Sequence, residues 1–274
     1  MDTTLQVYSI LFVMMTVTLV YSLRFFQARR QRRRAQRSIS SFERLPVWIG
    51  QSIESSRPLH LSFGGAAMGE DSAIASLAGA EFFYHLSQLS QSADVMPIIS
   101  TSSTAAIPLG QDTLRRAGQA GNPAAQVRWY PQGPRSVAYA AAVTALLEDE
   151  HPTAHVLAGS FGPELALILD NACQRRQGTL AVSDQLEGQA IAYALADEVL
   201  IGEELFAAAG YVAADAASQA DSMAMDVWRG LLILGLPFLL LFNFALQLES
   251  AGRVLLLLTL LGVAVVWLVV YLRR

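Results

Sequence analysis

Ser160 stands in Ala158-Gly159-Ser160-Phe161-Gly162, between an apolar run that reads as a strand and a helix beginning near Pro163. That is the setting of a nucleophile elbow, and Asp184 follows at the end of the next apolar run, in the order a hydrolase uses. A serine nucleophile also needs a base within about 3 Å. No histidine follows Asp184, and all nineteen basic residues are arginine, so lysine cannot take that place. His155 begins the strand that Ser160 ends, roughly 15 Å away at about 3.3 Å per residue, and His60 belongs to another strand. Ser160 and Asp184 are therefore weak catalytic candidates. The expectation is a structural serine whose hydroxyl caps the helix or meets a ligand.

The residue types exclude further chemistry. Without lysine there is no Schiff base, no Ser–Lys dyad and no Walker A lysine. Cys173 is the one cysteine, so no intramolecular disulfide and no CxxC zinc pair exist. Its apolar helical setting, ELALILDNAC, predicts a buried, inert thiol. His151 and His155 are the only close histidines, and Pro152 between them opposes the single-faced helical geometry of a metalloprotease motif. No metal and no cofactor are expected.

Ligand recognition is the remaining possibility. In an open α/β sheet ligands bind beyond the C-terminal strand ends. Those ends carry Gly64 and Gly65, Ser100 and Ser102, Gly159 and Ser160, and Ser183 and Asp184. Small and hydroxyl-bearing residues there suit a shallow polar pocket. They equally suit tight βα turns and helix caps. The first loop, GGAAMGED, lacks both G-x-G-x-x-G and GK[ST], and Glu70 and Asp71 would repel a phosphate at the helix start. STSST stands where a ribose-binding acid would follow the second strand. A dinucleotide site is not supported, and the two acids are expected to cap.

The elements that position these residues alternate regularly. Apolar runs at 59–63, 95–100, 126–130, 155–159, 179–183 and 198–202 read as strands. Helical patterns follow at 72–91, 111–119, 136–148, 163–176, 186–195 and 203–220. Six such units predict an α/β, Rossmann-like domain over 58–222, a mostly parallel sheet with helices on both faces. Within the juxtamembrane segment 27–57, Ile39, Phe42, Leu45, Trp48 and Ile49 lie at the membrane interface, dock on the domain, or form a linker.

The flanks have a different solvent. Only 15% of the 274 residues are charged, against roughly 25% in an ordinary soluble protein. Residues 3–23, 230–248 and 254–272 contain no charge, and each run suffices to cross about 30 Å of hydrocarbon. Three transmembrane helices are expected: one in 1–26 and a hairpin in 227–274. Seven arginines fall within 24–37 and none precedes the first run. The positive-inside rule puts the N-terminus outside, and the α/β domain and C-terminus in the cytoplasm of a multi-pass bacterial membrane protein. Arg29, Arg30, Arg32, Arg33, Arg34 and Arg37 would meet anionic headgroups. Residues 38–222 hold 20 acidic and 8 basic side chains. That sign opposes a nucleic-acid partner.

LHLSFGGAAMGEDSAIASLAGAEFF, MPIISTSSTAAIPLGQDTLRRA, HVLAGSFGPELALIL and IGEELFAAAGYV resemble an uncharacterised family of bacterial membrane-anchored proteins known only as a domain of unknown function. The resemblance covers roughly 57–222 and implies a shared architecture between terminal spans, with no activity, cofactor or catalytic residue. The leading reading is a membrane-anchored protein whose α/β domain serves self-assembly, as a homo-oligomer, or binds a small ligand. The alternatives are a membrane-bound serine hydrolase using Ser160 and an accessory subunit docking through Asn243 and Gln247.

Overall fold

The computed structural model describes residues 40–213 apart from 70, 93–94, 119–120 and 132–136, with isolated helical positions before 23 and after 229. The chain divides into two compact units, Phe26–Gln219 and a second comprising Met1–Phe25 and Ala220–Arg274. Apart from those isolated positions, the three apolar runs lie outside the described residues, as do the arginines of 24–37. Among the described residues no helix is long and apolar enough to cross a membrane.

Among the described residues six strands form one sheet: β1 His60–Gly64, β2 Ile98–Thr101, β3 Val127–Trp129, β4 Ala154–Ser160, β5 Gly178–Ser183 and β6 Glu198–Val199. Their order is β3-β2-β1-β4-β5-β6 and every pairing is parallel. The domain is thus α/β and Rossmann-like, with the strand order reversing between β1 and β4. Among the described residues five longer helices carry the connections, α2 Ala73–Leu89, α3 Ile107–Arg116, α4 Val137–Glu150, α5 Leu165–Gln174 and α6 Leu186–Leu195, while α1 Leu45–Ser55 precedes β1 and α7 Glu204–Ala213 follows β6. Short helical turns occupy Ser40–Phe42, Thr104–Ala106 and Pro123–Gln126.

Alternation along the strands builds two cores. Leu61, Phe63, Ile99, Val156, Ala158, Leu180 and Val182 pack with α1, α2, α3 and α7. Ile98, Leu157 and Ala181 pack on the other face with α4, α5 and α6. The small residues of α2 serve contact with the sheet. A Cβ on Gly79 would lie 2.8 Å from the Ala158 carbonyl oxygen, so only glycine lets the helix sit that close.

Several boundaries differ from the sequence reading for local reasons. The second strand begins at Ile98 because Pro97 has no N–H for the ladder. Helix α3 starts near 107 rather than 111, since Pro108 is tolerated in a first turn. The last strand shrinks to two edge residues. Segment 40–55 docks on the domain: Phe42, Leu45, Trp48 and Ile49 are buried in its core. Cys173, expected to be buried, is exposed. Leu165, Ile168, Leu169 and Ala172 form the inner stripe of α5, and the next residue falls about 100° round the helix.

Candidate functional site

The loops after β1 and β4 meet at the point where the strand order reverses. Gly64 adopts φ +58, and a Cβ there would collide with the Ser160 carbonyl oxygen and the Phe161 ring. The Gly65 N–H donates to Ser160 O at 2.7 Å. Gly159 passes so close to the Phe63 backbone that a Cβ would strike it. Backbone therefore fills the crevice mouth between these two loops.

The hydroxyls around it are already committed. Ser102 donates from N and from Oγ to Gly64 O, at 2.8 and 3.1 Å. Ser183 Oγ donates to Phe161 O at 2.8 Å and accepts from the N–H groups of Phe161 and Gln185. Ser160 Oγ accepts from Gln185 Nε2 at 2.8 Å. Gly64, Gly65, Ser102, Gly159, Ser160 and Ser183 are thus brought together as one lacing of loop to loop. Asp184 donates its N–H to Gly159 O, while the residue itself is exposed. Ser100 belongs to a separate network described below.

Ser160 is the last residue of β4 and lies outside the left-handed region, where the described non-glycine residues are Ser56, His151 and Arg176. Helix α5 begins at Leu165, so the Ser160 hydroxyl does not cap it. Glu164 instead receives the Gly162 N–H on Oε1 at 2.8 Å. Among the described residues no histidine hydrogen-bonds to Ser160. His85 faces Glu81 on α2 at 3.5 Å, and His151 is exposed at the opposite end of β4. Ser72, the N-cap residue of α2, makes no side-chain cap bond of its own. Glu70 lies outside the described residues, and Ser72 Oγ accepts from Ala67 N instead.

A chain of buried polar side chains crosses the face beneath α4. His60, Ser62, Ser100 and His155 are fully buried, and Tyr139 of α4 almost so. Parallel register sets His60 beside His155 and Ser62 beside Ser100. The two histidine Nδ1 atoms are 3.2 Å apart. His60 Nε2 lies 2.9 Å from Ser100 Oγ, and the Tyr139 hydroxyl stands 3.0 Å from Ser100 Oγ and 2.6 Å from Ser62 Oγ. His155 Nε2 is 2.9 Å from Gln177 Oε1.

One proton arrangement satisfies every member. His155 Nε2–H donates to Gln177 Oε1, and its Nδ1 accepts from His60 Nδ1–H. His60 Nε2 then accepts from Ser100, which accepts from Tyr139, which accepts from Ser62. The Gly64 N–H donates to Ser62 Oγ at 3.2 Å and closes the series. All three titratable members are neutral. Burial, reinforced by the neighbouring His155, holds His60 well below the ordinary histidine value. Burial lowers His155 to about 4 against a smaller opposing effect of Gln177, and raises Tyr139 to about 12. The chain ends on a backbone N–H, which gives up no proton, so this network holds structure rather than conducting. Its sequence signal was available: polar residues interrupting central parallel strands, which are ordinarily apolar throughout.

Among the described residues no cluster of three His, Cys, Asp or Glu side chains could hold a metal. A sequence-family model described as a domain of unknown function (DUF6754) matches residues 3–246. The chain belongs to this family. The match extends past the α/β domain on both sides, taking in the first uncharged run and most of the second. No curated protein and no solved structure matches the chain.

Proposed function

We propose that this member of the family is a membrane-tethered, non-catalytic scaffold whose α/β domain assembles with copies of itself. The observation that carries the reading is helix α6. Its inner face is Gly188 and Ala192, both buried. Its outer face presents Leu186, 86% exposed, and Tyr193, 71% exposed, with exposed Ala190 between them. Spacings of four and three residues put these on one stripe. A helix apolar on two opposite faces is expected inside a larger body, and a self-complementary helix pair is the simplest one.

The tether strengthens a weak contact by raising effective concentration. It rests on the three uncharged runs, with the family match covering the first and most of the second. The arginines of 24–37 orient the chain with its N-terminus outside and the α/β domain at the cytoplasmic face of a bacterial membrane, against anionic headgroups. Commitment of Ser102, Ser160 and Ser183 to the loop lacing supports a scaffold over a hydrolase.

The test is the mass of the full chain in mild detergent. The wild type is expected as an oligomer, and Leu186→Glu/Tyr193→Glu as a monomer of unchanged melting temperature, because both side chains are exposed. Burying each is worth about 2 kcal/mol, so the charged pair removes the main attraction. A wild-type monomer, or a variant with unchanged mass, would overturn the reading.

A further inference from the structure

A polar cavity lies at the opposite end of the sheet from the laced loops. It has a volume of about 570 Å³ and lies where α1, α4 and α5 turn into β1, β4 and β5. Its lining is polar but for Pro152. We propose that it binds a small, soluble, phosphate-bearing molecule through Arg57, Arg176 and Gln177.

Three observations converge on this. First, Arg57 and Arg176 both line the cavity, and among the described residues neither has a carboxylate partner. The remaining lining arginine, Arg175, is engaged with Glu148. Free guanidinium groups are the side chains best matched to phosphate oxygens. Second, the amide of Gln177 has a fixed sense. Its Oε1 stands 2.9 Å from Nε2 of buried His155, which leaves the amide N–H groups to meet acceptor oxygens of a ligand. Third, the described left-handed non-glycine residues, Ser56 (φ 52), His151 (φ 45) and Arg176 (φ 56), all stand at these three turns. They are the left-handed ends by which helices commonly terminate, and here they fold the three turns around one cavity.

The helix ends do not oppose the ligand as strongly as bare carbonyls would. Arg57 N–H donates to Ser52 O at the end of α1, and Arg176 N–H to Cys173 O and Gln177 N–H to Ala172 O at the end of α5, which satisfies those three acceptors. Glu54 is the one acid in the lining, and it suits a hydroxyl on the non-phosphate part of the molecule. The mostly polar lining favours a soluble ester over a lipid headgroup, whose glycerol and acyl stems need apolar contact.

Calorimetric titration of the full chain with inorganic pyrophosphate, in a phosphate-free detergent, tests this. The expected result is one site per chain, weakened about tenfold or more by Arg57→Gln/Arg176→Gln and strengthened by Glu54→Gln. Arg30→Gln/Arg33→Gln, in the arginine collar, should leave it unchanged. Failure to bind, or equal weakening by the collar variant, would overturn the proposal and leave the arginines as counterweights to the helix ends. The oligomeric mass of the same samples reports separately on assembly, so either reading can fail without the other.

Discussion

A histidine pair sealed in a protein core has a consequence that acid will reveal. His155 titrates at about 4 in the fold and near 6.5 when unfolded. Its folded value is depressed, so above pH 6.5 neither state binds the proton and stability is full. Below 6.5 the unfolded chain binds a proton that the fold refuses, and stability falls until about pH 4. At about 1.4 kcal/mol per pH unit, His155 alone accounts for a loss of about 2 kcal/mol by pH 5, and His60 adds in the same direction. Urea denaturation of the detergent-solubilised chain at pH 7.5 and pH 5 measures this. Equal stability at the two values would mean that the pair is not held neutral. The sequence showed that His60 and His155 were poor bases for Ser160, but not that they face each other. Their pairing depends on β1 lying beside β4, and strand order is a property of long-range register that local periodicity does not carry.

At the scale of elements, the strand–helix alternation was legible because six apolar runs with turn residues between them have few alternative arrangements. Strand lengths were less so, since an apolar run such as EVLIG has the same composition whether it pairs over five residues or two. The docking of α1 was also hidden. Trp48 suits a membrane interface as well as a core, and the deciding contact is with a glycine about 130 residues away in sequence. A Cβ on Gly178 would run into the Trp48 indole. Gly178→Ala is therefore expected to destabilise the domain by about 1–3 kcal/mol through overpacking, and Trp48→Ala by about 3–5 kcal/mol. The double variant should cost less than the sum, because removing the ring leaves room for the methyl group. Strict additivity in thermal or chemical melts would show that the ring and the glycine do not meet.

The whole molecule carries a natural reporter in its single cysteine. Cys173 is exposed on α5, so the native thiol should react readily with a maleimide once the reagent reaches it. In intact cells an impermeant maleimide is expected to leave Cys173 unlabelled, and permeabilisation is expected to expose it, as the proposed cytoplasmic orientation of the domain requires. Labelling of intact cells would reverse the orientation. The strand-end candidates show why function was harder to read than fold. Gly64, Ser160 and Ser183 have the residue types of a pocket, and only their hydrogen bonds reveal that they lace the loops after β1, β4 and β5 together.

Assembly through α6 is tested most directly by cysteine crosslinking in native membranes, with Ala190→Cys placed in a Cys173→Ser background. Ala190 sits midway along the Leu186–Tyr193 stripe, so a two-fold pairing of the helix brings it close to its own copy. Mild oxidation should then yield a disulfide-linked dimer of the full chain. If the chain remains monomeric under oxidation, while a cysteine on another face of the domain crosslinks, assembly does not run through α6.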